Sequence, residues 1–218
     1  MTTHEHVHHA PHALHAHHEM GSVNAMAASA TLHCLTGCAI GEIAGLIIGT
    51  AAGLPAGATV ALSIGLAFVF GFSLSSLPLV KSGLGLGAAL GIVLAADTLS
   101  IATMEVVDNL VMAMIPGAMD AGLVNVVFWV AMMISLAVAF VAAYPVNRHL
   151  LRRGRGHALT HAYHGAPAAQ AGFRRFIPSI GTGALAATIV AFMLGGLLVS
   201  VAAELTSDSE GGQHASTS

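Results

Sequence analysis

The sequence has few charged side chains and few aromatic ones. Charged residues make up 8% of its 218 residues and aromatic residues 5%, whereas hydrophobic residues make up 56%. An ordinary soluble domain carries about 25% charged residues, and much of its surface must stay in contact with water. The composition therefore excludes an ordinary soluble fold and indicates a chain whose solvent is the lipid bilayer.

Other absences narrow the class of protein. The only cysteines are Cys34 and Cys38, four residues apart, so no long-range disulfide framework exists. There is no GxxxxGK[ST] loop, so the chain has no recognisable motor of its own for ATP-driven pumping. No segment alternates apolar and polar residues as a barrel strand does, whereas glycine, with 25 residues, is frequent in closely packed membrane helices. The sequence predicts an all-α bundle of membrane helices.

Five apolar segments are long enough to cross a membrane, which requires about 20 residues of helix. They are Thr31–Leu54, Ala58–Val80, Leu84 to about Ile115, Leu123–Val146 and Ile177–Leu205. The third segment exceeds one perpendicular span, so it either tilts and emerges or breaks near Asp97 into two pieces. The bundle is accordingly predicted to contain five or six transmembrane helices.

Polar segments flank this bundle of residues 30–206. Eight of the fourteen histidines lie in the first eighteen residues, and we expect residues 1–29 to form a disordered tail that either scavenges metal or has no particular role. We expect residues 207–218 to be a second disordered tail. The chain thus divides into a tail, a bundle and a tail.

The basic residues predict an orientation. Six of the seven Lys and Arg residues lie between Arg148 and Arg175. Because cytoplasmic loops are enriched in Lys and Arg, the Arg/His-rich loop 147–176 is expected in the cytoplasm. With five spans, the N-terminus is then cytoplasmic and the C-terminus lies outside.

The first span carries two patterns with a period of four residues. One is a row of glycines, Gly37, Gly41, Gly45, Gly49 and Gly53. Such a row lets another helix backbone approach closely, so we expect a partner helix or a second copy of the chain to pack through Gly37, Gly41, Gly45 and Gly49. The other pattern is Cys34, Cys38 and Glu42, which share a face because side chains at i and i+4 lie one above the other.

The third segment combines carboxylates and thioethers along one stripe. At about 3.6 residues per turn, Glu105 lies at the margin of a face formed by Asp97, Ser100, Met104, Asp108 and Met112. With Glu42 this makes four acids at or near membrane depth, and no Lys or Arg lies in any span to pair with them. An acid at the bilayer centre costs about 2.5–3.5 kcal/mol unless it is protonated, hydrogen-bonded or neutralised by a cation. We expect Glu42 and Asp97 to meet near the midplane, in a polar path between the first and third helices.

Sulfur and carboxylate ligands together favour a transition metal. Thiolates and thioethers favour Cu(I), and Cys with carboxylate and imidazole also suits Zn(II). Cys and Met are also ordinary packing residues in buried positions, which is the competing interpretation for each of them. The candidate metal ligands are His33, Cys34, Cys38, Glu42, Asp97, Met104, Glu105, Asp108 and Met112.

The predicted function is binding and translocation of a transition-metal cation, Cu(I) or Zn(II), with proton coupling through Glu42 and Asp97. Two other classes remain open. One is a membrane protein that handles haem or cycles its thiols, and the other is a non-catalytic structural subunit of a membrane complex. The expected partners are the bilayer, the metal ion and, for so short a chain, a second copy, but no nucleic acid.

Three blocks of the sequence resemble a bacterial membrane family, the domain of unknown function 4396. They are TLHCLTGCAIGEIAGLIIGTAAG, ADTLSIATMEVVDNLVMAMIPGAMDAG and FVAAYPVNRHLLRRGRGHA, and the similarity covers about residues 30–160. The resemblance implies a multi-pass protein of the bacterial inner membrane. It implies no activity, so the proposed ligands depend on the residues alone.

Overall fold

The computed structural model describes residues 11–153 and 181–215. Within these ranges the chain is entirely helical, without strands. Its helices are α1 (Pro11–Ala51), α2 (Ala56–Lys81), α3 (Leu86–Met114), α4 (Val126–Arg152) and α5 (Thr182–Ala215). Each contains a segment long and apolar enough to cross a membrane. The predicted all-α membrane bundle is confirmed.

The long third segment is a single helix. The 29 residues of α3 run from Leu86 to Met114 without interruption, so the predicted alternative of a break near Asp97 is wrong. A helix of this length extends about 44 Å, more than the hydrocarbon core of about 30 Å. It must therefore tilt or emerge at its ends. The described part of the chain contains five candidate spans.

The first and last helices extend into segments predicted to be disordered. The described part of α1 starts at Pro11 and that of α5 ends at Ala215, so residues 11–29 and 207–215 are helical in the structure. The alanines near the start of α1 favour helix strongly. Residues 1–10, 154–180 and 216–218 lie outside the described residues, and with them most of the Arg/His-rich loop.

Glycine brings α1 and α2 into backbone contact. A Cβ on any of four glycines in α1 would overlap α2, so the two helices pack at the distance that only glycine allows. The contacts are Gly37–Gly71, Gly41–Ala67, Gly45–Ser63 and Gly49–Thr59. The fifth glycine, Gly53, has a positive φ of 64° after the end of α1 and no neighbour of this kind.

The partner of the glycine row therefore belongs to the same chain. Because α2 covers the four glycines, this surface is closed to a second copy. Association with another copy stays a prediction and would have to use a different face of the bundle.

α1 is the central helix and α5 the peripheral one. α1 packs against all four other helices, whereas α5 contacts only α1 and α4. The burial of the two helices differs accordingly, because 61% of the most apolar stretch of α1 is buried inside the bundle but only 17% of the corresponding stretch of α5. A hydrogen bond of 2.7 Å between the Ser29 and Thr182 hydroxyls joins α5 to α1. Near the middle of α5, Gly196 makes room for the indole ring of Trp129.

The bundle has apolar side chains outside and acids inside. Val106, Val141 and Leu198 are each more than two-thirds exposed on its surface, whereas Glu42 and Asp97 are buried. Water would penalise such a surface, but lipid tails would not. The exposed faces of the helices are therefore the lipid-facing ones.

Substituting Gly41 with Ala should destabilise the bundle by about 1–3 kcal/mol, because the added methyl overlaps the backbone of α2 at Ala67. Thermal unfolding of the purified protein in detergent measures this. The matched control is Gly65→Ala in α2, where a Cβ has open space, and this variant should be as stable as the parent. Equal midpoints of thermal unfolding for Gly41→Ala and Gly65→Ala would contradict the close packing of α1 against α2.

Candidate functional site

The buried face of α3 carries the predicted acids. The side chains of Asp97, Glu105 and Asp108 are 0%, 4% and 4% exposed, and Glu42 on α1 is 8% exposed. Their spacing places them on the side of α3 that packs against other helices, because residues three, four and seven apart share one helical face. All four acids are thus inside the protein rather than in lipid or water.

α1 and α3 meet through three contacts between ionisable side chains, and the first of these involves Cys34. Its thiol is completely buried and interacts with Asp97 and Ser100 of α3 and with Ser75 of α2. Three helices therefore meet at this level around one sulfur atom and one carboxyl group.

The second contact lies one turn further along α1. Cys38 interacts with Glu105 of α3 and lies near Cys34 on its own helix. Neither oxygen of Glu105 receives a well-formed hydrogen bond. The thiol, a weak donor, leaves this buried carboxyl group short of hydrogen-bond partners.

The third contact joins two acids directly. Glu42 meets Asp108, and Ser135 of α4 also reaches Asp108. Even so, Glu42 Oε2 and Asp108 Oδ1 have no hydrogen-bond donor. Ionised carboxylates only accept hydrogen bonds, so one cannot satisfy the other. The pair needs a proton or a cation between its oxygens.

These contacts follow one another in the same order along α1 and α3. We call the six residues the acid–thiol ladder; they form the pairs Cys34–Asp97, Cys38–Glu105 and Glu42–Asp108. From Asp97 to Asp108 the helix rises about 16 Å, roughly half the thickness of the hydrocarbon core. The ladder is a line of ionisable groups through the interior of a membrane bundle.

The expectation that Glu42 and Asp97 meet is wrong. The structure pairs Glu42 with Asp108, whereas Asp97 lies beside Cys34. The prediction placed Glu42 in a first span that begins at Thr31, but α1 is already helical before Thr31. Because Cys34 is the residue that meets Asp97, Glu42 lies about 12 Å further along α1, towards Asp108.

The other predicted ligands have different surroundings. The Nδ1 atom of His33 lies 2.8 Å from the Ser29 carbonyl oxygen of its own helix, and the ring is half-buried. Met104 is buried in the apolar core, whereas Met112 lines a cavity together with Glu42 and Asp108. Among the described residues, no three His, Cys, Asp or Glu side chains form a metal-binding group. The ladder offers its acids and thiols in pairs.

That cavity lies at the Glu42–Asp108 end of the ladder. It has a volume of about 440 Å³ and lies beside the α1–α2 connection and the loop between α3 and α4. We call it the vestibule. Its walls include Met132 of α4 and Asp120 of the loop.

Sequence reasoning missed Met132 and Asp120, and with them Ser75 and Ser135. Met132 and Ser135 lie three residues apart in α4 and are both buried. This spacing is a usable signal for a shared face. It does not indicate which neighbouring helix that face contacts.

Replacing Glu42 with Gln should stabilise the metal-free protein by about 1 kcal/mol, because the amide can donate a hydrogen bond to Asp108 without first taking up a proton. Thermal unfolding in detergent with a chelator measures the change. Glu204→Gln, at an exposed position on α5, is the control and should stay within about 0.5 kcal/mol of the parent. A marked loss of stability in Glu42→Gln would mean that the carboxylate has a partner of its own.

A comparison with known protein families matches the part of the chain that contains this candidate site. Residues 23–156 match the family described as Domain of unknown function (DUF4396). No curated protein and no solved structure is significantly similar to the chain. The matched region contains the span of α1, all of α2, α3 and α4, the whole acid–thiol ladder and the vestibule, whereas α5 lies beyond it. Because the match covers more than half of the sequence, the chain belongs to the DUF4396 family.

Proposed function

We propose that this protein binds a transition-metal cation, Cu(I) or Zn(II), and moves it through the membrane along the acid–thiol ladder. The observation that carries the proposal is a pair of buried acids in contact, Glu42 and Asp108, each with a side-chain oxygen that receives no hydrogen bond. The only Lys and Arg residues of the described helices are Lys81, Arg148 and Arg152, which lie near the ends of α2 and α4. Positive charge for this pair must then come from a proton or a bound cation.

The spacing of the ladder suits stepwise movement. Cys34, Cys38 and Glu42 follow one another at a rise of about 6 Å per step. A conducted ion must bind well enough to enter, yet weakly enough at each of several sites to leave. Pairs of ligands at successive levels meet this requirement better than one closed cage would.

The sulfur atoms support a transition metal over a hard cation. Ca²⁺ and Mg²⁺ are bound through oxygen ligands, and a path for them would have no use for Cys34 and Cys38. Thiolates are soft ligands that bind Cu(I) and Zn(II). Both cysteines are free and buried on the face that meets the acids of α3.

Proton coupling would occur at the Glu42–Asp108 pair. Two carboxyl groups in contact cannot both ionise without strong repulsion. In the absence of a cation the pair would be neutral, with both carboxyl groups protonated, and an arriving cation would displace one proton for each positive charge that it carries. The proposal assigns proton exchange to this pair in place of Glu42 with Asp97.

The proposed orientation follows from the basic end of α4. Arg148 Nε donates a hydrogen bond of 2.7 Å to Asn24 Oδ1, so the beginning of the α1 span and the end of α4 lie on the same side of the bundle. The enrichment of Arg at this end supports a cytoplasmic location. Cys34 and Asp97 would then face the cytoplasmic side of a bacterial inner membrane, and the vestibule would face the outside.

Purified protein in liposomes should take up Cu(I) or Zn(II), as measured by elemental analysis of the recovered vesicles. Asp108→Asn and Cys34→Ser should each reduce uptake to the level of protein-free liposomes, because each removes one level of the ladder. Glu204→Gln leaves the ladder intact and should match the parent.

Several results would contradict this function. A pH-sensitive dye inside the same liposomes measures proton movement. If protons move but the metal does not, the ladder is a proton path and the claim of metal transport is refuted. Absence of both metal and proton movement would favour a structural subunit, whereas a haem absorbance spectrum or oxidant-dependent loss of the two thiols would favour a redox protein.

A further inference from the structure

The vestibule combines two buried carboxyl groups with two buried thioethers. The carboxyl-bearing residues Glu42 and Asp108 line the cavity, and so do Met112 of α3 and Met132 of α4. The two methionine side chains are 6% and 3% exposed. Asp120, in the loop between α3 and α4, is exposed and also lines the cavity. Hard and soft ligands therefore converge on one cavity.

Each of the two carboxyl groups that line this cavity has one oxygen without a hydrogen-bond partner. Glu42 Oε2 and Asp108 Oδ1 are inaccessible and receive no hydrogen bond, although their side chains are 92% and 96% buried (8% and 4% exposed). Buried polar atoms normally have a partner, because an unmet one costs about 1–3 kcal/mol. An unmet pair beside a cavity of about 440 Å³ indicates a missing ligand.

We propose that the vestibule is a binding site for a soft monovalent cation of the Cu(I) class, held by the thioethers of Met112 and Met132 and by the Glu42–Asp108 pair. This inference rests on the proposed function and narrows it, since thioethers bind Cu(I), whereas the usual protein ligands of Zn(II) are Cys, His and carboxylate. The charges balance, because one monovalent cation and one proton together neutralise the two carboxylates.

The chain provides matched controls for both methionines. Met114 follows Met112 by two residues in α3 but is 72% exposed. Met133 follows Met132 directly, yet it lines a separate apolar groove between α1, α4 and α5. Neither control residue lines the vestibule. Leu is close to Met in volume, so all four sites tolerate the exchange with small cost.

The test compares silver binding by two double variants of the full-length protein in detergent. Ag(I), a redox-stable probe for Cu(I), is supplied at a buffered free concentration, and bound silver per chain is measured by elemental analysis. The histidines and both cysteines are the same in the two variants, so their contribution cancels. Met112→Leu/Met132→Leu should bind about one silver ion fewer per chain than Met114→Leu/Met133→Leu. Bound Zn(II) should be equal in the two.

Equal silver binding in the two double variants would overturn the proposal, and so would an equal loss of silver and zinc. If Met112→Leu/Met132→Leu does not give a folded protein, the single exchange Met112→Leu is compared with Met114→Leu. The affinity of Met112→Leu for silver should be about tenfold lower or more, because even the loss of a residue that only supports a metal ligand commonly weakens binding by this factor. An unchanged affinity would likewise overturn the site.

The same variants separate this inference from the proposed function. A loss of silver binding, with no metal uptake by liposomes containing the parent protein, would retain the vestibule site and refute translocation. Metal uptake by the parent, with equal silver binding in the two double variants, would retain translocation and refute the vestibule site.

Discussion

The contact between Glu42 and Asp108 is the constraint on which the interior of this bundle depends. Two carboxyl groups that touch inside an apolar protein cannot both carry a charge unless something positive lies between them. Here α1 and α3 each supply one acid, Ser135 of α4 reaches the second, and a cavity adjoins both. The stability of the bundle and the ion handling that we propose therefore both depend on how this pair of acids is neutralised.

α1 makes this arrangement possible because one of its faces packs against α2 and a neighbouring face packs against α3. Its glycines lie directly against α2, from Gly37 at the backbone of Gly71 to Gly49 at the side chain of Thr59. The neighbouring face, with Cys34, Cys38 and Glu42, is thereby held against α3. The family match covers α1 to α4 but not the peripheral α5. The unit that carries the candidate site is therefore the four-helix part of the bundle.

The prediction that failed shows where sequence reasoning loses accuracy. Apolar character indicated a first span from Thr31, but the residues before Thr31 belong to the same helix, so the start of the apolar run does not fix the depth of Glu42. The residue that meets Asp97 is Cys34, which lies about two turns, or roughly 12 Å, before Glu42 along the axis. Glu42 is therefore the neighbour of Asp108. The polar face itself was predicted correctly, because it depends only on the helical period.

The amino-acid sequence by itself determined the membrane bundle, the acidic face of α3 and the face shared by Cys34, Cys38 and Glu42. The high apolar content of the sequence requires a lipid environment. The period of about 3.6 residues is a property of the helical backbone, and it fixes which residues share a face. Only the tertiary structure decided which residues meet, that the glycine row packs against α2 of the same chain, and that Met132 and Asp120 join the vestibule. The axial offset between two helices depends on where each begins and how tightly its neighbours pack, and periodicity carries no information about either.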